Sequence, residues 1–236
     1  FSIMRATILL LFILFSSATA RAQNDPNEIK TLTTGPFKSL KVYSRIDVNL
    51  IESDVNKAVI YGAESDQVTL SVKNETLKIK LAIASLVRKG ITHIDLYHSA
   101  PLERIEAHQG VTLSAFHPIE QPNIQLKSVE GSSITALVDI DHIDAKTASG
   151  GSLILKGSAK KLDLKVNTGG NCEAEQLKTE RVNVKVLAGG YAYVNSEGIV
   201  DAEATAGGVV RIFGNPEKQI ILSRLGGKIL LANEIP

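Results

Sequence analysis

Between Gly110 and Ala232 one short glycine phrase keeps returning at a nearly constant step. Gly-Gly, or a degenerate form of it, stands at Gly110-Val111, Gly131-Ser132, Gly150-Gly151, Gly169-Gly170, Gly189-Gly190, Gly207-Gly208 and Gly226-Gly227. The steps are 21, 19, 19, 20, 18 and 19 residues. So steady a period marks stacked units, each too small to bury a core alone.

Aligning the units gives apolar columns. Three residues after the first glycine stand Leu113, Ile134, Leu153, Cys172, Ala192, Val210 and Ile229. Five residues before it stand Ile105, Leu126, Ala145, Leu164, Val184, Ala202 and Ile221. The positions between are mostly polar. Alternation with a period of two marks strands with one buried face. Agreement between units marks parallel strands stacked in register. The expected fold is therefore all-β: a right-handed parallel β-helix with coils of about 19 residues. The glycines Gly150, Gly151, Gly169, Gly170, Gly189, Gly190, Gly207, Gly208, Gly226 and Gly227 are read as its corners. There a positive φ and close stacking both favour a missing Cβ.

The chain before the repeat divides by composition. Residues 1–22 read as a signal peptide: Arg5, the apolar run Ile8 to Phe15, then small residues at Ala18-Thr19-Ala20 and Ala20-Arg21-Ala22. That run is short for a membrane span. Residues 23–36 read as a flexible polar leader, and residues 37–236 as one domain. Within it, residues 37–109 carry shorter strands, at Ala58–Gly62, Val68–Val72, Leu77–Leu81 and Ile91–Tyr97 among others, and residues 110–232 the regular coils. The shorter strands are either early coils or an antiparallel cap. Ala82 to Gly90 reads as a loop or short helix.

Phe37-Lys38-Ser39-Leu40-Lys41-Val42, Ile46-Asp47-Val48-Asn49-Leu50 and Asn74-Glu75-Thr76-Leu77-Lys78-Ile79, followed by glycine-punctuated coils and Ile212-Phe213-Gly214-Asn215-Pro216, are similar to the head GIN domain family of auto-transporter adhesins. The similarity runs from about Phe37 to Leu231 and rests on the order and spacing of the motifs. It implies an exported bacterial β-helix domain of the cell envelope: periplasmic, cell-surface or secreted. It brings no catalytic residues and no cofactor.

Charge excludes one class of partner. Without Arg5 and Arg21, Lys+Arg falls from 26 to 24 against 25 Asp+Glu, leaving no electrostatic footprint for nucleic acid. The lone cysteine, Cys172, falls in an inward column and reads as a buried apolar residue. Asp139, Asp141, His142 and Asp144 cluster around a turn and could suit a hard cation such as Ca²⁺, but alternation splits them between faces. Lys127, Lys146, Lys165 and Lys185 repeat over four coils, with Gln125, Asp144, Asp163 and Asn183 two residues earlier. The row would suit an acidic glycan or a lipid headgroup, but the interleaved carboxylates favour charge relief on a solvated sheet.

Tyr191 and Tyr193 point outward together, and the neighbouring coils set Asn171, Glu173 and Arg211 beside them. These five residues form the candidate binding patch, since exposed tyrosine with arginine suits an interface. The last coil carries Ile220, Leu222 and Leu230 where other coils are polar, so a second copy or another part of the chain is expected to cover it. The functional expectation is a non-catalytic extracytoplasmic module that binds an envelope glycan or protein. The alternatives are a lyase-like β-helix enzyme and a regulatory or structural envelope protein. Coils of 18 to 21 residues leave no insertion to wall a catalytic cleft, and no outward carboxylate pair suits acid–base work on a glycan.

Overall fold

The computed structural model describes residues 29–62, 64–82 and 90–232. The expected signal peptide, residues 1–22, and most of the Ala82–Gly90 segment lie outside them. The described chain is a parallel β-solenoid of about seven turns with coils of about 19 residues.

The regular coils are built from long strands that bend midway: β9 (Thr112–Val129), β10 (Ser133–Ala148), β11 (Ser152–Asn167), β12 (Asn171–Leu187) and β13 (Tyr191–Thr205). Each pairs with the next in parallel along both halves. The half after a glycine corner builds a front face, and the half before the next corner builds a back face. The chain then closes with β14 (Val209–Phe213) and β16 (Lys228–Leu231) on the front and β15 (Lys218–Arg224) on the back.

The columns expected from the sequence lie in register: Leu113, Ile134, Leu153, Cys172, Ala192 and Val210 are each fully buried. Burying an apolar side chain contributes about 1.5–3 kcal/mol relative to leaving it exposed, and the solenoid repeats that gain in every coil. Burial also pushes the Cys172 thiol well up, with Glu175 and Glu173 adding to it, so this sulfur stays protonated and inert.

Each corner turns on two consecutive residues with positive φ, joined at the Ala188–Gly189 corner by a third, Gly190 at 86°. There Ala188 has φ 59° and Gly189 φ 75°. The first of these two positions is never glycine in the seven corners; Ser149, Thr168 and Ala206 hold it elsewhere. The positive φ expected of the corner glycines falls on the first glycine of each phrase, and the residue before it shares it: two consecutive left-handed residues give the turn its hand, and a side chain at the first points into solvent. Crowding falls instead on the last glycine of the phrase. A Cβ on Gly190 would overlap the carbonyl oxygen of Gly170 in the coil beneath, whereas one on Gly189 meets nothing within 4 Å.

Unequal coil lengths are absorbed away from the corners, in register shifts between Ala136 and Val138, Ile154 and Lys156, and Ala174 and Lys178. The corners stay in line because the slack is taken up by bulges.

Toward the N-terminus the strands are β1 (Lys30–Thr33), β2 (Ser39–Val42), β3 (Ile46–Glu52), β4 (Lys57–Gly62), β5 (Val68–Lys73), β6 (Thr76–Leu81), β7 (Thr92–His98) and β8 (Arg104–Ala107). Here both architectures left open by the sequence occur. The pairs β6–β7, β2–β3 and β8–β9 are parallel coils, with β2–β3 inserted between the other two. Outside them, β5 runs antiparallel to β6 and β4 antiparallel to β7, forming a cap. β1 adds a further antiparallel strand on β4, so residues 30–33 are sheet rather than leader. Leu32 on β1 packs against the core, which is what draws this segment in.

The other end is open. Every residue of β15 is exposed, and Ile221, in the column where Ala202 is fully buried, is 48% exposed. Among the described residues no strand lies over it.

Candidate functional site

The front face carries the patch expected from the sequence. Ala192 and Val194 point inward and are fully buried, so alternation turns Tyr191 and Tyr193 outward. Register places Asn171 and Val209 beside Tyr191, and Glu173 and Arg211 beside Tyr193. The Tyr191 hydroxyl donates to Glu173 Oε1 at 2.8 Å. That bond, with burial and the carboxylate's charge, pushes the hydroxyl pKa up to about 12, so the phenol stays a donor. The Tyr191 and Tyr193 rings lie 4.8 Å apart at 33°, and the Arg211 guanidinium sits 5.8 Å from the Tyr193 centroid. Asn171 contributes a neighbouring amide.

The structure adds Phe213, which the sequence reading left out. Its ring meets Tyr193 edge-on, at 6.1 Å and 60°. Phe213 pairs in register with Asn195. The alternation 209, 211, 213 turns it outward with Val209 and Arg211, a signal visible in the sequence. Three rings in a row on a rigid face supply broad apolar contact at low entropic cost, with Arg211 and the tyrosine hydroxyls to orient a ligand.

Toward the cap the same face carries a second aromatic group. Tyr61 stacks on His93 at 5.4 Å, and Lys57 Nζ sits 4.6 Å from the Tyr97 centroid. Between the two groups the register runs from Asp47, 3.5 Å from His93 Nδ1, through Thr112, Ser133, Ser152 and Asn171, the last four small and uncharged.

On the back face the most buried carboxylate is Glu106, 9% exposed at its side chain. Lys41 Nζ lies 2.9 Å from it, His108 Nε2 3.1 Å and Lys127 Nζ 3.7 Å, and Tyr43 stacks on His108 at 4.7 Å. Burial alone would raise this carboxyl, but the bonds from Lys41 and His108 outweigh it and hold the pKa below its ordinary value of 4.5. A depressed native pKa stabilises the fold above 4.5, and that gain is lost as pH falls through the native value. Glu106→Gln should therefore lower the melting temperature at pH 7 and flatten its dependence below about pH 4.5; an unchanged acid profile would contradict this.

The three aspartates considered for a cation are drawn apart. Asp139 accepts from Ser158 Oγ at 2.7 Å, Asp141 pairs with Lys160 at 2.6 Å, and Asp144 stands on the back face beside Gln125 and Asp163. Among the described residues no group of three or more His, Cys, Asp or Glu could hold a metal ion.

The family described as "Putative auto-transporter adhesin, head GIN domain" has a model that matches residues 36–216. This chain belongs to the head GIN domain family. The head GIN fold is also seen in solved structures at low identity. A "putative adhesin" from Bacteroides fragilis is 17% identical with a TM-score of 0.76, covering 86% of this chain and 95% of its own. A "putative adhesin" from Parabacteroides merdae is 17% identical with a TM-score of 0.66, covering 89% and 97%. A "putative lipid binding protein" from Parabacteroides distasonis is 16% identical with a TM-score of 0.64, covering 89% and 98%. No curated protein matches this head GIN chain in sequence.

Proposed function

We propose that this head GIN protein is an exported, non-catalytic adhesive module of the bacterial cell envelope, and that Tyr191, Tyr193 and Phe213, with Arg211, Glu173 and Asn171, form its contact surface for an envelope glycan or protein. The observation that carries this reading is the three-ring row on a face whose inner side is fully packed. Such a surface presents aromatic anchors already held in place, so little entropy is lost on contact. The family's adhesin description points the same way.

At the far corner a groove of about 600 Å³ runs past Asp139, Asp141, Lys160 and Lys178, with Glu180, Glu197 and Glu217 also lining it. Its Asp139 and Asp141 carboxylates are tied to Ser158 and Lys160, at 2.7 and 2.6 Å. Neither is poised as the acid or base that a lyase-like mechanism needs, and the non-catalytic reading is supported by coils of 18 to 21 residues, which leave no insertion to wall a cleft around the remaining carboxylates. Export is supported by the charge and apolar pattern of residues 1–22.

A glycan array run beside a pull-down from envelope extract tests the proposal. The double variant Tyr191→Ala/Tyr193→Ala should weaken any hit by roughly tenfold or more, as loss of central aromatic anchors does. Binding left unchanged by that variant removes the patch as the contact surface.

A further inference from the structure

The back face carries a second, chemically different surface. Its outward column runs, rung by rung in register, through Lys78, Lys41, Glu106, Lys127, Lys146, Lys165, Lys185 and Glu203. Six of these eight rungs are lysine. The carboxylates sit at the two ends of the central run: Glu106 takes Lys41 and Lys127, and Glu203 takes Lys185 at 3.2 Å. Lys146 and Lys165, both exposed, make no ion pair among the described residues.

The sequence suggested that the neighbouring aspartates relieve this row. The geometry corrects that expectation. Asp163 is taken by Lys161 at 2.6 Å and by His142 at 2.7 Å, on the side away from the lysines. The flanking column runs Gln125, Asp144, Asp163, Asn183 and Asp201, beside the row rather than in it. On the other flank stand Ala148, Asn167, Leu187 and Thr205, all uncharged.

Like charges directly opposite one another on a sheet are destabilising. Stacking does not require them, because the equivalent front-face column is Thr112, Ser133, Ser152 and Asn171. A costly row kept on a regular scaffold marks a position where local stability gives way to another demand.

We propose that the row Lys127, Lys146, Lys165 and Lys185 binds a single extended chain of acidic polysaccharide bearing one carboxylate per sugar. Successive ammonium groups rise by about 4.8 Å, the strand spacing, close to the length of one hexose ring in an extended polymer. The row is one residue wide and runs along the solenoid axis, which suits a linear chain. A planar anionic bilayer would press the Asp144, Asp163 and Asp201 column against its own headgroups, so a membrane surface fits less well. This surface is independent of the front-face patch.

The test uses the whole protein and polygalacturonate, followed by calorimetry across a salt series. Four lysine contacts at roughly 0.7 counterions each predict a slope of log Kobs against log[salt] of about −3. The variant Lys146→Ser/Lys165→Ser should weaken binding by roughly tenfold or more and cut that slope to about half. Its melting temperature at low salt should rise, since repulsion is relieved, which shows that it folds. Tyr191→Ala/Tyr193→Ala should bind the polymer as the wild type does, keeping the two surfaces distinguishable. No binding to polygalacturonate, a slope unaffected by the lysine variant, or binding to vesicles containing phosphatidylglycerol in place of the polymer would each overturn the proposal.

Discussion

Gly190→Ala should destabilise the solenoid by about 3 kcal/mol or more, the left-handed backbone alone costing about 1–2 kcal/mol. Gly190 has φ 86°, and a Cβ there overlaps the Gly170 carbonyl oxygen of the coil beneath. The overlap is with backbone, which cannot rotate away, so two stacked corners must part. For a chain of this size the melting temperature should fall by roughly 6–12 °C. Gly189→Ala is the control one residue earlier. It shares the positive φ, at 75°, but faces open space, so its cost should be about 1 kcal/mol. Asp at Gly169 or Gly189 should likewise cost more than Asp at exposed Lys165, yet less than Ala at Gly190. Equal melting temperatures for Gly189→Ala and Gly190→Ala would show that stacking does not crowd the corner.

Leu164→Asp should be harsher still. Leu164 is 3% exposed and lies in register between Ala145 and Val184, which are themselves buried. An unpartnered carboxylate placed there costs roughly 3–5 kcal/mol, with the lost packing in addition. Because each coil seals the next, the damage should spread to both neighbours, and urea titration should show the transition near zero denaturant. Lys165→Asp, the adjacent residue on the same strand, should stay within about ±0.5 kcal/mol of the wild type. At low salt it should gain slightly, from interrupting the lysine row. Similar losses at both positions would deny the strict inward and outward alternation.

The repeat was legible because the core of a solenoid is written in columns. Leu113, Ile134, Leu153, Cys172, Ala192 and Val210 could be aligned by eye, and each is buried where alignment put it. The pairing of Tyr191 and Tyr193 with Glu173 and Arg211 followed from that same alignment. The stacking order of the N-terminal coils was not legible. The corner before β3 is made by Ser44 and Arg45, with φ 76° and 49° and no glycine, so the coil β2–β3 gives no sign of itself. Nor does any local pattern announce that it slots between β6–β7 and β8–β9, because that choice is made by contacts distant in the chain. Side-chain pairing was hidden for a related reason. Long lysines choose among several carboxylates across strands, and alignment cannot show that Glu106 takes Lys41 and Lys127 while Asp163 turns to Lys161 and His142.

Both proposed surfaces exist only if adjacent coils hold the register that stacks Cys172 on Ala192. Residues paired across neighbouring strands fall within the Cα separation of about 4.4–6.8 Å that a disulfide can bridge. The chain has one native cysteine, so a single substitution supplies the partner. Ala192→Cys, refolded under oxidising conditions, should form a bridge to Cys172, detected as one tryptic cross-link by mass spectrometry. Val194→Cys, a register step away, should leave Cys172 free. A bridge to position 194, or none at 192, would contradict the stacking on which both faces depend.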